Sequence, residues 1–269
     1  MIEIQHLAYR LKDRYLLQGI DFRVPQGELC AIVGPNGAGK STLMRLLSGD
    51  LTTTEGEMKW QGRLLSSFQT LEIARQRAIL MQKTSMSMAL RGEEVVMMGR
   101  YPHFKHTPRP IDLQYVQEAM ELTACQQFAD RLYQSLSGGE QQRIQLARVF
   151  CQLADQKGPY LLLLDEPLNN LDLQYQHLLL KACRVFAAQG NCVLIVMHDL
   201  NLAAQYADSI LLLSGGKQLA FGRPQSVCRS DLLSKVYQLD LRVMRHPSGD
   251  FPLIIPPANE SVPMINYLS

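Results

Sequence analysis

Two hydrophobic rhythms run along the chain. Ile2–Arg10 (IEIQHLAYR) and Leu16–Val24 (LLQGIDFRV) alternate apolar and polar positions, the period of half-buried strands. Pro25–Gly27 reads as a turn between hairpin-like elements. Three later stretches are solidly apolar instead: Glu28–Gly34 (ELCAIVG), Tyr160–Asp165 (YLLLLD) and Asn191–His198 (NCVLIVMH). Runs of that length predict strands buried on both faces, as in a covered parallel sheet. Between them lie segments of helical period: Ser41–Gly49, Leu171–Gln189 and the short Asn201–Asp208. Thr52–Gly62 reads as a turn and a strand, and Ser209–Gly222 as a hairpin around Gly215–Gly216. From about Met86 to Phe150 the rhythm is helical, broken by glycine and proline around Gly99–Pro110. The tail from Arg242 is expected to be irregular at its end.

Alternating strands and helices give an α/β class. The expectation is a mainly parallel sheet, an N-terminal antiparallel β part and an inserted helical subdomain over about 84–155. The main domain spans 1–240, and 241–269 form a C-terminal extension.

Composition changes this picture little. Apolar residues are 46% and charged residues 19% of 269, an ordinary globular balance. A formal charge of +2 with no basic run gives no footprint for nucleic acid. The start, MIEIQHLAYR, lacks the basic-then-apolar order of a signal peptide. The longest apolar runs are strand-sized, well short of the roughly 20 residues of a membrane span. The six cysteines show no metal-ligand spacing and read as reduced core thiols.

Candidate chemistry concentrates in three strings. Gly34-Pro35-Asn36-Gly37-Ala38-Gly39-Lys40-Ser41-Thr42 fits GxxxxGK[ST] between a predicted strand and a predicted helix, the context a phosphate-binding loop needs. Glycines at 34, 37 and 39 admit close backbone approach, and the loop N–H groups with the helix N-terminus form an anion nest. Lys40 is expected on the β- and γ-phosphates of ATP and the Ser41 hydroxyl on Mg²⁺. Asp165 and Glu166 end a buried strand, where open α/β sheets bind ligands. Adjacent strand residues point opposite ways, so Asp165 is assigned to Mg²⁺ and Glu166 to polarising the attacking water. Ser137, Gly138 and Gly139 open a helix, with Ser137 as its N-cap at an anion-attracting end.

The pair GPNGAGKST and LSGGEQQR (Leu136–Arg143) resembles the ATP-binding cassette family over roughly residues 1–240. The resemblance implies a P-loop NTPase core and an ATPase that works as a dimer of two copies. Each site then joins the phosphate loop of one copy to Ser137–Gly139 of the other. It also implies roles for three further residues. His198 resembles the switch histidine that contacts the γ-phosphate and helps orient the water. Gln82 resembles the glutamine that touches Mg²⁺ and the lytic water, and Asp172 matches the loop between the two sites.

Two departures stand out. Leu11 occupies the place of the aromatic that stacks on adenine, with Tyr9 and Tyr15 nearby, and Asn169–Asn170 replace small residues before Leu171-Asp172.

GRYPH at Gly99–His103, the lengthened segment Cys151–Tyr160 and LDLQYQH at Leu171–His177 resemble importers of iron chelates, haem and cobalamin, and most of all the haem branch. The resemblance implies a peripheral subunit on the cytoplasmic face of a bacterial inner membrane. Its partners would be two permease subunits and, indirectly, a periplasmic substrate-binding protein. His103, His106 and His177 are not expected to ligate haem, because the cargo need not touch the ATPase. Importers of ferric siderophores or cobalamin, and a soluble cassette serving iron–sulfur assembly, are the alternatives. A DNA-repair cassette would need a long coiled coil between Lys40 and Leu136, where fewer than a hundred residues lie. A ribosome-acting one would usually carry two cassettes, and a metabolic kinase leaves LSGGE unexplained.

Overall fold

A computed structural model describes residues 1–81, 89–155 and 158–257. The first part of the chain forms β1 (Ile2–Leu11), β2 (Arg14–Val24), β3 (Leu29–Val33), α1 (Lys40–Ser48), β4 (Glu55–Trp60) and β5 (Arg63–Leu64). Then come α2 (Thr70–Ala74), β6 (Arg77–Leu80), α3 (Gly92–Met97), α4 (Pro110–Leu122), α5 (Gly138–Gln152), β7 (Leu161–Asp165) and α6 (Leu173–Ala188). The chain continues through β8 (Cys192–Val196), α7 (Leu200–Tyr206), β9 (Ser209–Ser214) and β10 (Lys217–Gly222). It ends in α8 (Pro224–Val227), α9 (Ser230–Tyr237), β11 (Arg242–Arg245) and β12 (Pro252–Ile255).

Ten strands join one sheet in the order β5-β4-β1-β2-β10-β9-β3-β8-β7-β6. The run β6-β7-β8-β3-β9 is parallel throughout, and β1, β2, β4 and β5 pair antiparallel. The α/β class and the antiparallel N-terminal part hold. Strand parity explains why the central strands read as unbroken apolar runs. Leu29, Ala31 and Val33 of β3 face one core with Leu162, Leu164, Val193 and Ile195. Cys30 and Ile32 face a second core with Leu161, Leu163, Leu194 and Val196, against Leu43, Met44 and Leu47 of α1. Each central strand therefore has no solvent side to mark with polar residues. Helices α3, α4 and α5 lie in the chain between β6 and β7 and bury Val95, Val116, Ile144 and Val149 in the first core. All six cysteines are free and buried.

The N-terminal turn differs from expectation. The β1–β2 hairpin closes at Lys12-Asp13, with Lys12 at φ 54°, while Pro25–Gly27 passes the chain from β2 to a strand with other neighbours. A lysine carries the left-handed residue, so no glycine marks the turn. The tail begins with regular structure. Arg242–Arg245 and Pro252–Ile255 form an antiparallel hairpin, and only beyond it do residues 258–269 lie outside the described residues. Asn201 of α7 pins the hairpin: its Nδ2 donates to the Ile254 carbonyl at 3.1 Å, and its Oδ1 accepts from the Ile254 N–H at 2.7 Å.

Candidate functional site

β3 delivers the chain into the glycine loop at the carboxyl edge of the sheet. Gly34 has φ 148°, and a Cβ there would meet the Leu213 carbonyl oxygen at 2.1 Å. Gly39 (φ 101°) precedes α1, and its Cβ would meet Leu17 at 2.6 Å. These contacts are why the loop cannot carry side chains at those points. Lys40 is buried, and its Nζ donates to the carbonyls of Gly34 at 2.6 Å and Pro35 at 3.1 Å. Burial lowers its pKa, against the pull of Glu166 and Asp165. Ser41 is exposed at the start of α1. The cleft above the loop, 350 Å³, is lined by Arg14, Leu16, Asn36, Gly37, Ala38, Gly39, Lys40, Ser41, Thr42 and Glu166.

The two carboxylates stand at the end of β7. Asp165 is 2% exposed, and its Oδ1 is buried with no hydrogen-bond partner among the described residues. Burial, and then the Glu166 charge, push its carboxyl up to about 6 against Lys40 and His198. An orphaned carboxylate oxygen in this position suits a divalent cation. Strand alternation is not what separates Asp165 from Glu166. Glu166 has already left the strand at φ 52°, a left-handed conformation rare for such a side chain. That turn aims Glu166 at His198, whose Nε2 lies 2.7 Å from Oε1. Asn169 Nδ2 donates to the other carboxylate oxygen at 2.9 Å. Asn169 thus has a task that a small residue could not perform, and the sequence departure at that position acquires a reason.

Ser137 is the N-cap of α5. Its Oγ accepts from the Glu140 N–H at 3.4 Å, and Glu140 Oε2 accepts the Ser137 N–H at 2.7 Å. Gly138 and Gly139 pack on Asn170, and a Cβ on Gly139 would meet the Asn170 carbonyl at 2.6 Å. Asn170 itself sits at φ 63°, which asparagine tolerates. Asp172 caps α6, accepting the Tyr175 N–H at 3.1 Å. None of Ser137–Gly139 lines the cleft above the phosphate loop. Gln82 lies outside the described residues.

GRYPH turns out to be an internal joint. Arg100 is fully buried, with Nε donating to Asp112 at 3.0 Å, Nη2 to Asp155 at 2.5 Å and Nη1 to the Cys151 carbonyl at 2.8 Å. His103 bridges Asp155 at 2.7 Å and the Gln152 carbonyl at 2.8 Å. A Cβ on Gly99 would meet the Arg148 carbonyl at 2.3 Å, so glycine lets this turn press on α5. Burial pushes the Asp112 carboxyl up, but hydrogen bonds from Arg109 and Arg100 prevail and hold it down at about 2, from 3.8. A depressed carboxylate contributes stability above its unfolded pKa and loses it as pH falls from about 4 toward 2. Asp112→Ala, which leaves the Arg100 charge buried with one partner fewer, should cost about 3 kcal/mol in denaturant melts at pH 7. The mutational cost should shrink on acidification through that window.

Two further residues at the site gave no signal in the sequence. Arg14 lies next to a turn that sequence reading misplaced. Tyr237 of α9 has its phenol pushed up to about 12 by burial, offset in part by a hydrogen bond to the Gly34 backbone. No pattern links a helix some 200 residues downstream to the phosphate loop.

The geometry agrees with what the chain resembles among known proteins. The family model for ABC transporters matches residues 17–169. The hemin import ATP-binding protein of Gloeobacter violaceus is 44% identical over 264 residues, covering 97% of this chain and 96% of the relative. Among solved structures, a metal-chelate type ABC transporter in an inward-facing conformation superposes with a TM-score of 0.80 at 25% identity, covering 97% of this chain and 99% of that one. A dimeric bacterial ABC transporter cassette shares the fold at a TM-score of 0.73 and 23% identity, over 83% and 98% of the two chains. The phosphate loop, the carboxylate pair and the LSGGE helix thus stand in one fold and one order, and the chain belongs to the ABC transporter family as one of its ATP-hydrolysing cassettes.

Proposed function

We propose that this chain is the motor subunit of a membrane importer for haem. It works as a homodimer that closes on two ATP molecules. The observation that carries the dimer is the placement of Ser137–Gly139. The N-terminus of α5 is a ready anion site, yet it contributes nothing to the cleft of its own chain. A second copy in antiparallel register supplies it. In each site the loop Gly34–Thr42 binds the triphosphate and Lys40 exchanges its loop carbonyls for phosphate oxygens. Ser41, Asp165 and Gln82 hold Mg²⁺, which when bound offsets charge on the β- and γ-phosphates. Glu166 accepts the proton of the attacking water, and Asn169 and His198 fix its carboxylate. His198 also reaches the γ-phosphate, and Asp172 lies between the two sites. ATP acts as a switch because it binds the closed dimer better than the open one.

No described helix is long and apolar enough to cross a membrane. In this reading the motor acts on two permease subunits, from the cytoplasmic face of a bacterial inner membrane, with a periplasmic binding protein delivering cargo. The name borne by the 44% identical relative supports haem. The test is reconstitution of the chain with its permease in lipid, presenting haem, a ferric siderophore and cobalamin in parallel with their binding proteins. Haem should raise ATP turnover and be taken up, while free haem should not bind the isolated subunit tightly. Uptake of a siderophore or cobalamin without haem would keep the motor and overturn the cargo. Co-purification with a soluble assembly partner instead of a permease would overturn the importer.

A further inference from the structure

The cleft beside the phosphate loop has a second wall, and β2 builds it. Arg14 and Leu16 line the cleft, and apart from Glu166 every other lining residue belongs to the loop and the start of α1. A nucleoside triphosphate with its phosphates on Gly34–Thr42 must place its base off the loop, and Glu166 stands at the phosphate end. That leaves the β2 wall. The tyrosines of this region do not serve it. Tyr15, between Arg14 and Leu16, turns to the other side of the strand, where its hydroxyl donates to Glu55 at 2.8 Å and the Arg10 guanidinium lies 5.6 Å from its ring centre. Tyr9 packs against the core that contains Leu17, Leu43 and Trp60. Arg14 is different. Arg10 pairs with Asp13 and Arg63 with Glu72, whereas Arg14 has no hydrogen-bond or ion-pair partner among the described residues. Its position is fixed by the Lys12-Asp13 turn, and it pairs across the hairpin with the exposed Leu11.

We propose that Arg14 seats the nucleobase, its guanidinium plane stacked on the purine and Leu16 covering the apolar edge beside it. A guanidinium is planar, weakly hydrated and permanently charged, so it stacks on an aromatic face where an ammonium would not. Stacking uses the π-face that adenine and guanine share, so the site takes purine nucleoside triphosphates with little preference between the two bases. Arg14 thereby does the work of the aromatic side chain missing at Leu11. The proposal rests on the reading of Gly34–Thr42 as a nucleotide site, and the experiment separates the two.

Affinities of the full chain for ATP, GTP and inorganic tripolyphosphate are to be measured by calorimetry. In the wild type, ATP and GTP should bind within about fivefold of each other. Arg14→Ala should weaken both by about tenfold, equivalent to about 1.4 kcal/mol, and leave tripolyphosphate within about twofold. Arg14→Trp should restore ATP affinity, because an indole offers the same flat face, and Arg14→Lys should not. Lys40→Ala should lose all three ligands, and if it loses none the phosphate-site reading fails first. Three results overturn the Arg14 assignment with that reading intact. They are an equal loss of tripolyphosphate in Arg14→Ala, ATP affinity unchanged in Arg14→Ala, and full recovery by lysine with none by tryptophan.

Discussion

Glu166→Gln should bind ATP normally and hydrolyse it about 10²–10⁴-fold more slowly than wild type, the range for removing a positioned proton acceptor. The substitution suits the site because it changes one property. The amide keeps the shape of the carboxylate: its oxygen can still accept from Asn169 Nδ2, and its NH2 can donate to a neutral His198 Nε2, the partners that hold the carboxylate at 2.9 Å and 2.7 Å. It cannot take a proton from water. Binding should survive because Lys40, Ser41 and the loop N–H groups are untouched. A closed, ATP-loaded dimer should then accumulate, visible as a doubled mass by light scattering in ATP but not in ADP. Single-turnover ATPase assays give the rate directly. A rate within about threefold of wild type would remove Glu166 from the proposed mechanism. His198→Ala offers a comparison: with the carboxylate intact but less well oriented, the loss should be smaller.

How much of this was legible in the sequence depends on whether the residues interact locally. The loop Gly34–Thr42 was legible because its geometry needs glycines at fixed places, and Gly34 and Gly39 prove unable to carry a Cβ. The start of α5 was legible because an N-cap is local, a serine opening a helical stretch, and Glu140 completes it as a capping box in the structure. The sheet could be inferred because strands covered on both faces must be apolar at every position. Features made by distant residues were not legible. The β1–β2 turn hides in Lys12-Asp13 because its positive φ falls on a lysine. The left-handed turn at Glu166 cannot be read from Asp165-Glu166-Pro167, and strand alternation gave a false reason for a real separation. GRYPH carried a resemblance but no visible role, because Asp112 and Asp155, which neutralise Arg100, lie 12 and 55 residues away. The same limit applied to Tyr237 and to the Asn201 clamp on the C-terminal hairpin.

Ser137→Arg should abolish ATP turnover while the separated subunit still binds nucleotide. The γ-phosphate of the partner's ATP is expected against the first turn of α5, where the capping box engages the Ser137 and Glu140 N–H groups and leaves those of Gly138 and Gly139 for an anion. Loss of a single preorganised donor of this kind typically costs about 10²–10³ in rate. An arginine adds bulk and charge to the one site that its own α5 completes, so the loss at that site should reach at least the upper end. Ser137→Ala is the milder control: it removes the cap, worth about 1 kcal/mol of stability, but leaves the helix N–H groups in place. The decisive measurement mixes variants. A Ser137→Arg subunit keeps a sound phosphate loop, and a Lys40→Ala subunit keeps a sound α5 start. Their heterodimer therefore has one complete site, where each homodimer has none. The mixture should hydrolyse ATP faster than either variant alone, which no model confining the site to one chain can produce. If Ser137→Arg alone retains wild-type turnover, the LSGGE helix is not part of an ATP site and the homodimer is wrong.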